Sequence, residues 1–396
     1  ADADVTEAID FLEFYRRAMV RLSGDTALLS PLGERNTRVM VPRGVVGVIA
    51  PWNFPLAIPL GMVSAALIAG NGVVLKPAEQ TPLVAYCIVQ AFEAAGLPEG
   101  VLNFVPGRGE VVGRAITESP DVDTIAFTGS YAVGTEILAA AAVVRPGQRA
   151  LKTVVCELGG KNPLIVDADA DLDQVVPGAI YSAFGFAGQK CSAASRLIVH
   201  ERHFDRVVER MEGALEALVV GDPRRPDADV GPVIDEESHR RLTSFISDST
   251  RTGRVVSHRG LPDSPGYYVP PTLVIAPDES DRVLHDELFG PVLAIQRATD
   301  LDHAIALANA TDYALTAGIY SRSPSAIERA AGALVAGNVY INRGITGAVP
   351  GRQPFGGFGR SGLGSKAGGL DYLLHFMNTK VVTENTLRQG FVPEIS

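Results

Sequence analysis

From Val45 to about Ala336 the chain alternates short β-prone runs with helix-length segments, and this alternation restricts the fold more than any other feature. VVGVIA (45–50), NGVVLKP (71–77), GVLNFV (100–105) and VDTIAF (122–127) are near-continuous apolar runs, without a period of two. Strands read that way when both faces are buried, as in parallel sheets covered by crossover helices. Helices are predicted between them: from about Pro55 to Ala69, over 82–96, from about Glu110, and over 132–142. Gly96 and Pro98 stop the second of these. A second series starts near Gly159, with NPLIVD (162–167), a helix through Phe184, SRLIVH (195–200) and a helix over 204–218. YYVPPTLVIA, VLAIQRA, TAGIYS and GNVYIN continue it to 342. The fold class is α/β, with parallel sheets and helices on both faces.

Three segments stand outside this rhythm. Residues 1–22 read as an amphipathic helix, and 23–42 as turns that become β-prone at NTRVMV. Residues 344–369 form a glycine-rich loop with several aromatics; loops of that length are usually functional. The tail TKVVTEN (379–385) has β character but no partner strand nearby in sequence. A length of 396 residues accommodates two or three domains. A net charge of −10 without a lysine-arginine cluster argues against a nucleic-acid partner. The longest apolar stretch is broken by Pro55, Pro59 and Gly61, so no membrane span is expected. Cys87, Cys156 and Cys191 are too scattered for a disulfide framework or a zinc site, and no metal is expected from the His200–His203 pair.

Five short motifs carry residues suited to chemistry. In FAGQKCSAASR, Cys191 is a nucleophile only if backbone amides or Lys190 lower its thiol pKa; otherwise it is core. APWNFP brackets Asn53 between two prolines, and a rigidly held amide can donate to an oxyanion, although asparagine is also an ordinary turn residue. CELGGKNP puts Glu157 at the end of an apolar strand, where burial raises a carboxyl pKa toward that of a general base, unless it is an edge glutamate facing water. VLKPAEQTP puts Lys76 at the carboxyl end of a strand, where with Glu79 it could bond two ribose hydroxyls, or be a solvated loop lysine. In FTGSYAVG, Gly129 and Gly134 frame a strand-to-helix turn open to a phosphate, or simply a glycine turn.

These motifs, in their order along the chain (PWNFP, LKPAE, FTGS, ELGGKNP, GQKCSA) and followed by ELFGPV and QPFGGFGRSG, resemble the aldehyde dehydrogenase superfamily over nearly the whole chain. The resemblance implies a Rossmann-like NAD domain (1-20 and 43-158), an α/β catalytic domain (159-377) and a small β oligomerisation flap (21-42 and 378-396). It implies that Cys191 attacks an aldehyde, that Asn53 holds the oxyanion and that Glu157 activates the hydrolytic water. NAD is the implied cofactor, held by Pro51, Trp52, Lys76, Glu79, Phe127, Gly129, Ser130, Gly134, Glu287 and Phe289.

The glycine-rich loop and FGFAGQKCSAASR are more narrowly similar to L-glutamate γ-semialdehyde (1-pyrroline-5-carboxylate) dehydrogenases, which occur alone or within bifunctional proline utilisation A. Ser192, Gly347 and Ala348 would then hold the substrate carboxylate, with Phe54, Phe184 and Phe355 along its methylene chain. A first quarter of the family's length is absent. The expected setting is a cytoplasmic homo-oligomer acting on a small molecule, with a proline dehydrogenase as a possible upstream neighbour. Two other readings stay open: a dehydrogenase of another small aldehyde, and an inactive structural or interaction subunit.

Overall fold

The two strand series close into two separate sheets in the computed structural model, which describes residues 2–24, 28–258, 260–276 and 278–387. The first sheet runs Gly362–Leu363, Thr153–Glu157, Thr124–Thr128, Val45–Ile49, Gly72–Lys76, Leu102–Phe104. It is parallel except at Gly362–Leu363, which pairs antiparallel with Glu157 and Cys156. The chain winds to one side of Val45–Ile49 and then to the other. This leaves a switch point between Val45–Ile49 and Thr124–Thr128, where open α/β sheets take ligands. The second sheet runs Asn338–Ile341, Thr316–Tyr320, Asn162–Val166, Ala194–His200, Val292–Ala298, Thr272–Ile275, Arg254–Ser257, and only the last strand is antiparallel. Continuous apolar runs mark the buried strands in both: Val46, Val48, Leu75 and Ile125 in one, Leu164, Leu197, Leu293 and Ile295 in the other.

Most predicted elements lie within two residues of their observed bounds. The helix expected from Glu110 is a short π turn, Gly109–Gly113, that continues as Arg114–Glu118. The helix Glu236–Thr252 is not among the predicted elements; it is amphipathic, but its apolar face is carried by Leu242, Phe245 and Ile246 within an otherwise polar segment.

The segments outside the rhythm find distant partners. Asp2–Leu22 is one helix whose Ala8, Phe11, Tyr15 and Ala18 face inward at helical spacing. It lies on the helix Ala57–Ile68, where a Cβ on Gly61 would sit 3.2 Å from the Phe11 ring. Glu34–Pro42 pairs antiparallel with Met377–Asn385 in a two-stranded ribbon, so the tail's partner lies more than 330 residues away in sequence. The glycine-rich loop joins the edge of the first sheet through Gly362–Leu363 and closes on itself through a bridge from Phe355 to Ala367. Among the described residues no helix is long and apolar enough to cross a membrane, and no group of three His, Cys, Asp or Glu could hold a metal. His203 Nε2 instead lies 2.8 Å from the Ala168 carbonyl.

Candidate active site

The cysteine turn is built from backbone that resists relaxing. Phe186 and Ala187 have φ of 61° and 54°, a left-handed conformation that costs non-glycine residues free energy. Gly188 continues it at 68°, and a Cβ there would lie 2.3 Å from the Gly290 carbonyl oxygen. Three side-chain anchors hold the segment. Gln189 Oε1 accepts from Ile234 N at 2.9 Å. Asn162 Nδ2 donates to the carbonyls of Cys191 at 2.6 Å and Ala193 at 2.9 Å. Its Oδ1 accepts from Thr316 N at 3.1 Å. Asn162 stands in the motif CELGGKNP, but its clamping role carries no sequence signal beyond a polar residue at the start of an apolar strand.

This turn opens onto a cavity of about 220 Å³. Its walls unite Cys191, Glu157, Phe54, Ser192, Gly347, Ala348 and Phe355, all expected at the site. Asn53 is buried, and its Nδ2 donates to the Gln189 carbonyl at 3.0 Å, two residues before Cys191. That bond fixes which end of the amide faces the turn and leaves its second N–H uncommitted. Phe184 is not on the cavity. It is 1% exposed within the core of the second sheet, because its helix Leu172–Phe184 turns it inward. Phe186, which stacks on Phe54 at 5.7 Å between centroids, and the cavity-lining Tyr181 stand on that side instead.

Glu157 behaves as its sequence context suggests. Burial pushes its carboxyl up to about 8, partly offset by the Ala367 N–H and the Lys366 charge. The Cys191 thiol departs from expectation. Burial, and after it the carboxyls of Glu157 and Glu287, push it well above its usual value despite a hydrogen bond from the Ser192 backbone. Lys190 does not reverse this, and its Nζ lies over the Tyr181 ring, 5.3 Å from the centroid.

The same cavity holds Glu7, from the N-terminal helix, which sequence reasoning did not single out. Burial, with Asp4 and Asp10 nearby, raises its carboxyl to about 7, while Lys190 draws it down. The cavity therefore carries an acid, an ammonium, a hydroxyl and open backbone at Gly347–Ala348. Gly347 has φ 79° and nothing within 4 Å of a Cβ position, so its freedom serves the backbone turn.

The candidate cofactor residues gather at the first sheet. Lys76 Nζ is buried at the end of Gly72–Lys76, 3.0 Å from Glu79 Oε1 and 2.9 Å from the Pro77 carbonyl. Glu79 also accepts from Gly109 N at 2.5 Å. Gly129 and Gly134 are required by packing within the protein. A Cβ would fall 2.5 Å from the Phe127 ring in one case and 2.6 Å from Leu158 in the other, so the helix Tyr131–Ala141 rides close to its strand. Ser130 caps that helix by accepting from Val133 N at 3.3 Å. Glu287 Oε1 accepts from Gly160 N at 3.0 Å, and its carboxylate fills the space that a Gly159 side chain would need. Phe289, at φ 50°, meets Trp52 edge-on at 5.5 Å, next to Pro51.

Residues 1–382 match the model of the aldehyde dehydrogenase family. The 1-pyrroline-5-carboxylate dehydrogenase of Bacillus subtilis (strain 168) is 46% identical over 384 residues, covering 97% of this chain and 75% of that protein. Among solved structures, proline utilization A (PutA) from Bdellovibrio bacteriovorus superposes with a TM-score of 0.97 at 48% identity. The match covers 99% of this chain and 41% of that one, so this chain spans well under half of that protein. A 1-pyrroline-5-carboxylate dehydrogenase from Thermus with bound NAD superposes with a TM-score of 0.93 at 44% identity, covering 97% of this chain and 74% of that one.

Proposed function

This chain belongs to the aldehyde dehydrogenase family, and on that premise we propose that it oxidises L-glutamate γ-semialdehyde, the open form of 1-pyrroline-5-carboxylate, to L-glutamate. The observation that carries the substrate is the presence of both Glu7 and Lys190 in the cavity that also holds Cys191, Ser192, Gly347 and Ala348. An α-amino acid offers an ammonium and a carboxylate, and these groups complement both. Phe54 and Phe355 leave an apolar slot for the methylenes between that end and the aldehyde.

NAD fits the residues present. Lys76 and Glu79 form an adjacent donor and acceptor at a strand end, suited to a ribose diol. Glu287 suits the second ribose, while Pro51, Trp52, Phe127, Phe289 and the turn at Gly129, Ser130 and Gly134 complete the cofactor side. When bound, the dinucleotide supplies the two-electron acceptor that turns a thiohemiacetal into a thioester.

The chain's own residues do the rest. Cys191 Sγ releases its proton to solvent water, and the resulting thiolate bonds to the aldehyde carbon. The carbonyl oxygen gains charge and is received by the free N–H of Asn53 and the Cys191 backbone N–H. After oxidation, water attacks the thioester carbon while Glu157 takes its proton, and the acid departs as Cys191 regains its hydrogen. In this reading residues 1-20 and 43-158 bind the dinucleotide and 159-377 carry the catalysis. The ribbon of 21-42 and 378-396, whose last nine residues lie outside the described ones, joins copies of the chain. A cytoplasmic setting keeps the Cys191 thiol reduced. A proline dehydrogenase producing the substrate is the natural upstream partner, in keeping with the likeness to PutA.

The test is NADH formation from pyrroline-5-carboxylate by this chain, compared with succinate and glutarate semialdehydes and propanal. We expect the highest kcat/KM with pyrroline-5-carboxylate, and none with Cys191→Ala. Equal use of all four aldehydes would refute the substrate assignment, and turnover by Cys191→Ala would refute the nucleophile.

A further inference from the structure

We propose that Asp4 is a positioning residue for the oxyanion-binding loop, acting on Asn53 through the helix that follows it. The inference rests on the assignment of Asn53 as oxyanion donor. Helix Ala57–Ile68 has no cap of its own: Leu56 makes no side-chain bond at the N-cap position, and the first turn holds no acid. Its first amides are received instead by a residue more than fifty positions earlier. Asp4 Oδ1 accepts from Ala57 N at 2.9 Å, and Oδ2 accepts from Leu56 N at 3.2 Å.

Only Phe54 and Pro55 separate this anchored end from Asn53. At the other end of the loop, Asn53 Nδ2 meets the Gln189 carbonyl at 3.0 Å. The loop is thus held between two fixed points, one of them Asp4, and Pro55 removes slack between them. Asp4 is itself held rigidly. Its helix buries Phe11 against Gly61, and Tyr15 Oη accepts from Gly368 N at 2.8 Å. Releasing the cap lets the first turn of Ala57–Ile68 fray. Asn53 then loses its aim, while Lys76, Glu79 and Glu287, which lie on other segments and supply the polar contacts proposed for the cofactor, stay in place.

The test is a double-mutant cycle in the full chain. Asp4→Ala is expected to lower kcat about tenfold, the scale of a small misplacement of a catalytic group, with KM for NAD unchanged. On an Asn53→Ala background the same change should cost nothing further, since the group it aims is gone. Asp4→Asn keeps one acceptor and should fall between wild type and Asp4→Ala, which covers the case in which the alanine variant does not fold. Full additivity of the two losses, or unchanged kcat in Asp4→Ala, overturns the proposal; additivity would leave only a structural cap. Unchanged turnover in Asn53→Ala alone overturns the proposal together with the Asn53 assignment beneath it.

Discussion

Glu157 shows how one residue trades stability for function. Its folded pKa of about 8 stands above the ordinary carboxyl value of 4.5, with burial as the main cause. The folded state therefore binds a proton that the unfolded state releases, and stability declines as pH climbs through the window from about 4.5 to about 8. Glu157→Gln removes that penalty, so its melting temperature should exceed wild type at pH 9 and match it more nearly at pH 5. The same change removes the base, so the variant should form one burst of NADH per site and then stall. Steady turnover by the variant would exclude Glu157 from deacylation. Wild-type deacylation should rise with pH and level off above about 8, because only the ionised carboxylate accepts a proton. The sequence offered this behaviour as one of two readings, a desolvated acid or an edge glutamate facing water, and the distant segment around Gly362, Lys366 and Ala367 decides for the first. The state of Cys191 was not legible there: its thiol is raised by burial and then by the charges of Glu157 and Glu287, which come from segments distant in sequence.

At the scale of elements, the cysteine turn and the glycine-rich loop are held by partners that sequence spacing does not reveal. Gly188 combines φ 68° with a contact that excludes any Cβ, against the Gly290 backbone. Gly188→Ala must therefore shift either the turn or the segment bearing Glu287 and Phe289. It should lower stability by about 2 kcal/mol, read from a denaturant midpoint, and slow the NADH burst. A burst and midpoint matching wild type would mean that the turn has slack the geometry does not suggest. Phe184 marks the limit of motif reading. Its neighbourhood in the sequence points to the site, yet the inward turn of its helix buries it, and Phe186, two residues later in left-handed backbone, stacks on Phe54.

At the scale of the molecule, the ribbon of Glu34–Pro42 and Met377–Asn385 stands out for what it leaves uncovered. Val39, Val381 and Val382 are 46%, 59% and 44% exposed on two strands that, among the described residues, pair in a sheet only with each other. Such surface in a free chain favours pairing. We expect a dimer or larger species in sedimentation velocity, shifted toward monomer by Val381→Lys with Val382→Glu. A monomeric wild type would remove the ribbon's proposed role. The alternation of apolar runs and helices was enough by itself to dictate two parallel α/β layers, because continuous burial of a strand follows from its own residues. The ordered motifs likewise pointed to Cys191 and Glu157, which the structure brings to one cavity, and to Asn53, which it holds against the cysteine turn. The tertiary structure alone decided what surrounds them: Glu7 facing Lys190, Asp4 capping a helix more than fifty residues away, and carboxyls crowding the thiol. Those relations depend on distances between segments far apart in the chain, and no local pattern of residues encodes such a distance.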